Sequence, residues 1–194
     1  MRYAAAMATL ATRPRRLTSE EFFAEYEGVP GRWELVGREP RLMSGGSAAH
    51  ANVAGNIYHC LRSKLGGSGC RPFNSDMGLR IANDHIRYPD VAIYCDPRDR
   101  DADLGNIRAF RFPIVIFEVL SRSTARIDRV DKLLAYQDLG SVRLIVLIDP
   151  DRRMFETYER LEEGWSVGHH LPGATLSVLN PSFTITADEM FADD

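Results

Sequence analysis

An α/β domain with a mixed central sheet is predicted by three features of this sequence. Phe112 to Leu120 and Leu144 to Ile148 are almost wholly apolar, as strands covered on both faces are. Between them Ser123-Thr124 can cap a helix that runs to about Leu139 and stops at Gly140; strand, helix and strand at this length make a right-handed crossover between parallel strands. From Ser47 to Leu65 the apolar residues Val53, Ile57, Leu61 and Leu65 recur every four positions, the mark of an amphipathic helix, and Gly66-Gly67-Ser68-Gly69 ends it.

The remaining elements follow in order. Thr18-Ser19-Glu20-Glu21 opens a helix with a hydroxyl cap and early glutamates suited to its dipole. Arg32 to Val36 and Glu39 to Met43 flank Gly37-Arg38 as a hairpin. Strands at Cys70 to Phe73, Met77 to Ile81 and Ile86 to Tyr94 suggest a meander, and Asp96 to Arg108, with both charge signs interleaved, a loop. Met154 to Glu159, Trp165 to His170 and Thr175 to Leu179 read as a further antiparallel hairpin or edge.

At 194 residues, with 44% apolar and 26% charged residues, the chain fits one globular domain. Residues 1–16 read as a flexible N-terminal tail, with Met7 a candidate start, and 17–194 as the domain. No stretch nears the ~18 consecutive apolar residues of a membrane span. Cys60, Cys70 and Cys95 lack metal-ligand spacing, and an odd number points to reduced thiols in a cytoplasmic protein. The net charge of −3 is not that of a binder relying on bulk phosphate neutralisation.

Three residues carry the chemistry. Glu118 sits among Phe112 to Phe117 and Val119-Leu120, and a buried carboxylate must be protonated, paired or bound to metal. Asp90 follows Pro89, which cannot donate a ladder hydrogen bond and so marks a bulge, edge or strand start. Lys132 is one of only two lysines. Asp128 and Tyr136 lie four residues to either side of it and form one helical stripe, with Ile127, Val130, Leu133 and Leu134 expected to pack on the sheet. An ordinary Asp128–Lys132 surface pair and an arginine partner for Glu118 are the plain alternatives. Together Asp90 and Glu118 can hold magnesium or manganese, with the carbonyl of Val119 or Leu120 as a further ligand. Lys132 would steady negative charge developing on a phosphodiester.

Residues from about Leu17 to Phe191 resemble the Uma-two family of endonucleases, long catalogued as a domain of unknown function and placed in the PD-(D/E)xK nuclease superfamily. The matching pieces are Leu17 to Phe22, Arg32 to Val36, His50, Tyr88-Pro89-Asp90-Val91, Phe117 to Thr124, then Asp128, Lys132 and Tyr136, and Leu147 to Pro150. The resemblance implies a restriction-endonuclease-like αβββαβ core, Asp90 and Glu118 as metal ligands, Lys132 as the catalytic lysine, and Glu34 and His50 as accessory polar residues. The chain departs from the superfamily pattern at Leu120, where a lysine is standard, so Lys132 would be a migrated one. Arg143-Leu144-Ile145 departs where relatives carry a glutamate and an aromatic.

The function expected is a divalent-metal-dependent DNA endonuclease of restriction-enzyme type, acting as a homodimer because cutting both strands of a duplex favours two sites. A catalytically inactive nucleic-acid or protein-binding module on the same fold is the alternative, and a hydrolase of other phosphate esters a third. His169-His170 reads as surface, and Trp33 and Trp165 as packing.

Overall fold

The computed structural model describes residues 16–100, 104–121 and 127–193; the side chains of residues 100 and 127–129 lie outside the description. The N-terminal tail to residue 15, the Ser123-Thr124 cap and the side chain of Asp128 fall outside the described residues. Helix α1 (Ser19–Tyr26) opens with a capping box: Thr18 accepts from the Glu21 amide, and the Glu21 carboxylate accepts from the Thr18 amide at 2.8 Å. The hairpin of β1 (Trp33–Val36) and β2 (Glu39–Leu42) turns at Gly37-Arg38, where both φ angles are positive (56° and 74°), the geometry that matches strand twist. Helix α2 (Ala48–Lys64) begins where the Ser47 hydroxyl accepts from the His50 amide, and it buries Val53, Ile57 and Leu61.

Four strands follow: β3 (Arg71–Asn74), β4 (Gly78–Ala82), β5 (His85–Arg87) and β6 (Val91–Tyr94). They are not the expected meander. The stretch from Ile86 to Tyr94 is two strands interrupted at Tyr88-Pro89-Asp90; β5 pairs with β4 in one sheet and β6 with β3 in another. Pro89 has no N–H for a ladder, and the chain changes sheets there. Asp90 therefore stands at the head of β6, at the switch.

A short helix, α3 (Pro97–Arg100), occupies part of the expected loop, followed by β7 (Ala109–Phe110) and β8 (Pro113–Val119). Helix α4 (Ile127–Gln137) then leads to β9 (Leu144–Asp149), parallel to β8 with Glu118 opposite Leu147. The chain ends with β10 (Met154–Arg160), β11 (Trp165–His170), the hairpin β12 (Thr175–Leu179) and β13 (Ser182–Thr186), and α5 (Ala187–Met190).

The larger sheet has the order β11-β10-β9-β8-β6-β3, mixed through its parallel pair β8 and β9; the second has the order β2-β1-β5-β4-β7. In chain order α2, β3, β6, β8, α4 and β9 make the αβββαβ core. Side chains alternate along β8. Val115, Phe117 and Val119 pack with Val53, Ile57 and Leu61 of α2, whereas Ile116 packs with Tyr136 of α4. Glu118 shares the face of Ile116 and so looks toward α4.

Two expectations are corrected. Val130 and Leu134 of α4 are 52% and 57% exposed, while Leu133 packs against the cluster of Ile116 and Ile145 as expected and Tyr136 is fully buried. The stripe of Lys132 and Tyr136 faces the sheet, because the buried carboxylate beneath it draws the side of the helix that can bond it. Cys70 and Cys95 form a disulfide, leaving Cys60 as a half-buried thiol, so the thiol argument for a reducing compartment falls away. The β3–β6 register, with Arg71 opposite Tyr94, brings residues 70 and 95 together. Among the described residues no helix is long and apolar enough to cross a membrane.

Candidate active site

Glu118, 6% exposed near the end of β8, is held at both oxygens by α4. Lys132 Nζ donates to Oε2 at 2.9 Å, and the Tyr136 hydroxyl donates to Oε1 at 2.6 Å. Spaced four apart, the two donors reach the same carboxylate from successive turns. Burial pushes the Glu118 carboxyl up to about 7; the nearby charge of Asp90 adds to the rise, and Lys132 and Tyr136 oppose it. Burial works against the charge on Lys132, but Glu118, Glu34 and Asp90 together raise its pKa above the ordinary value. The lysine is therefore a protonated donor at neutral pH. Burial also lifts the Tyr136 hydroxyl well above its usual range.

Asp90 is tied to the same strand end. Its Oδ2 accepts from the Val119 amide at 2.8 Å, and its Oδ1 bonds His50 Nε2 at 2.9 Å. Strands β6 and β8 are neighbours with Val91 opposite Phe117, so the two carboxylates stand side by side at their ends. The bond to Asp90 raises the pKa of His50, with burial opposing it.

Glu34 of β1 closes the other wall through an ion pair with Arg87 of β5, Oε2 to Nη1 at 2.7 Å. Arg87, 3% exposed, also donates to His85 Nε2 at 3.0 Å. Sequence reasoning passed over it; the signal was present, since a lone arginine beside Ile86 poses the same burial question as Glu118.

Glu34, His50, Arg87, Asp90, Glu118 and Lys132 line one cleft of about 240 Å³, with the Leu42 to Gly46 segment as its rim. Two buried atoms in this group, Glu34 Oε1 and His50 Nδ1, have no hydrogen-bond partner among the described residues. No group of three or more His, Cys, Asp or Glu side chains arranged to hold a metal occurs among the described residues. A hard divalent cation that keeps much of its water suits two carboxylates and a backbone carbonyl such as that of Val119. The donor set fits such an ion.

Of the residues singled out by sequence, Asp90, Glu118, Lys132, Glu34, His50 and Tyr136 converge here; the Asp128 side chain lies outside the described residues. His169 is exposed, but His170 stacks on Phe155 with centroids 4.4 Å apart and bonds the Thr157 hydroxyl. Trp33 and Trp165 pack against Tyr26 and Arg160.

The family model Uma2, described as "Putative restriction endonuclease", matches residues 19–187. The chain belongs to the Uma2 family. Two relatives come from Synechocystis sp. (strain ATCC 27184 / PCC 6803 / Kazusa). The uncharacterized protein slr1290 is 25% identical over 178 residues, 91% of this chain and 92% of that one. The uncharacterized protein sll1609 is 29% identical over 147 residues, 75% and 81% of the two. A crystal structure from Anabaena variabilis ATCC 29413, described as "a putative nuclease belonging to DUF820", superposes with a TM-score of 0.70 at 17% identity, covering 91% of this chain and 98% of that one. At that identity the match establishes the fold, and the Uma2 family description points to nuclease chemistry.

Proposed function

We propose that the chain is a divalent-metal-dependent endonuclease that hydrolyses phosphodiester bonds in DNA. The observation that carries the reading is the convergence of Asp90, Glu118 and Lys132 in one cleft at the ends of two adjacent strands. Asp90, Glu118 and the Val119 carbonyl would hold magnesium or manganese. When bound, such an ion polarises the phosphate and makes water a better nucleophile.

The chain's own groups supply the rest. The Lys132 ammonium offers a fixed positive charge and hydrogen-bond donors to the negative charge that builds on the phosphate as water attacks and the P–O bond breaks. Tyr136 and His50 are positioning residues, orienting Glu118 and Asp90. Glu34 keeps Arg87 turned inward as the far wall. Two copies of the chain would place one such centre on each strand of a duplex.

The test is cleavage of supercoiled plasmid with magnesium or manganese by the wild type and by Asp90→Ala, Glu118→Ala and Lys132→Ala. Nicking by the wild type, reduced at least about a hundredfold in each variant, supports the proposal; equal activity in all four removes the trio from the mechanism. The closed hydrogen bonding of Glu118 favours the second reading, a binding module without chemistry. Salt-dependent DNA binding with no metal-dependent cleavage would establish that instead.

A further inference from the structure

We infer that the cavity adjoining the active-site cleft is a pocket for one unpaired nucleobase, which makes DNA with a displaced base the substrate class of this enzyme. The identity of the ligand rests on the nuclease reading above. The cavity, of about 400 Å³, lies between α1, β1 and the segment that leads into Asp90, a size within the range of small-molecule sites. Aromatic rings form its walls: Phe23 and Tyr26 from α1, Trp33 from β1, and Tyr88. Each is only partly buried, so each keeps surface free toward the cavity. The Tyr26 and Trp33 rings meet edge to face with centroids 5.0 Å apart, and the Trp33 indole N–H donates to the Pro30 carbonyl at 3.1 Å, which fixes the plane of the ring.

The polar groups around the cavity select the chemistry. Arg108 is paired with Glu27 at 2.7 Å, and Arg32 faces Asp76 at 3.9 Å, so neither guanidinium is an uncompensated charge waiting for a phosphate. A neutral planar ring with donors and acceptors on its edge suits these walls, and a base offers both the stacking face and the edge. Within a duplex the faces are occupied by neighbouring bases, so only a base out of the stack can enter.

The position of the cavity ties it to the scissile phosphate. Arg32 and Met43 line both this cavity and the active-site cleft. The backbone divides the two at single-residue resolution: on β1, Trp33 lines one and Glu34 the other, and before β6, Tyr88 lines one and Asp90 the other. A strand with its phosphate at Asp90 and Glu118 has an adjacent base next to Trp33 and Tyr88.

The test is a fluorescence titration in EDTA at low salt with two duplexes of one sequence, carrying 2-aminopurine either paired or as a single-base bulge. The wild type is expected to bind the bulged duplex about ten times more tightly and to quench its 2-aminopurine. Tyr88→Leu, which keeps apolar bulk without the ring, should bring the two affinities together with the melting temperature little changed. Trp33→Leu, checked the same way, should do likewise. Equal affinities in the wild type, absence of quenching, or a preference that survives both substitutions overturns the pocket. The readout needs no cleavage, so it stands if the nuclease reading fails, and plasmid cleavage by the wild type stands if the pocket fails.

Discussion

Glu118 takes one hydrogen bond from Lys132 and one from Tyr136, and substitution separates what each donor does. Tyr136→Phe removes a bond to a buried carboxylate without opening a cavity, and denaturant titration should show a loss of about 1.5–3 kcal/mol. Lys132→Met strips the positive charge from the cleft; plasmid cleavage should fall about 100- to 1000-fold. The proton on Glu118 makes a further prediction. Its carboxyl is pushed up to about 7 in the folded protein, chiefly by burial, from an ordinary 4.5. A raised carboxyl pKa means the folded state holds the proton more tightly than the unfolded one. The stability this contributes is whole below about pH 4.5 and is lost as pH rises through 7. A metal ion competes for the same oxygens. The affinity for manganese should rise about tenfold per pH unit from 5.5 to 6.5 and flatten above 7.5, which calorimetry across that range measures; a flat profile would detach Glu118 from the ion.

Helix α4 shows how far element-level reasoning from the sequence reaches. Its existence, its place between two parallel strands and the link between Lys132 and Tyr136 are legible, because spacing and flanking apolar runs are local signals. Its rotation is not legible. Leu133 packs inward as its apolar character predicts, but Val130 and Leu134 turn outward, and the carboxylate on β8 beneath the helix decides that Lys132 and Tyr136 turn in instead. Val130→Ser and Leu134→Gln should each change stability by less than about 0.5 kcal/mol, whereas Tyr136→Ala should cost about 3–5 kcal/mol, both read from denaturant midpoints. The strand break at Tyr88-Pro89-Asp90 was half legible. Proline announces an interruption, but that the chain changes sheets there depends on pairing with β3 and β4, which sequence does not display. Arg87, beside Ile86, carries a local burial signal, but its partner Glu34 lies 53 positions away, a pairing that sequence does not display.

At the scale of the whole molecule, the two sheets meet at the clefts, one sheet bringing Glu34 and Arg87 and the other Asp90 and Glu118. The six-stranded sheet ends at β3, and the Cys70–Cys95 bond joins this edge to the end of β6 opposite Asp90. With the cysteines 25 positions apart, reduction should lower stability by about 3.5 kcal/mol, measured by unfolding with and without dithiothreitol. The central claim is that Asp90 and Glu118 are a metal site and not a buried ion pair with Lys132. An anomalous difference map from a manganese-soaked crystal tests this most directly. The account predicts a peak bonded to oxygens of both Asp90 and Glu118, with Lys132 beside it. No peak there at saturating manganese, with the Lys132–Glu118 and Asp90–His50 contacts unchanged, would contradict it.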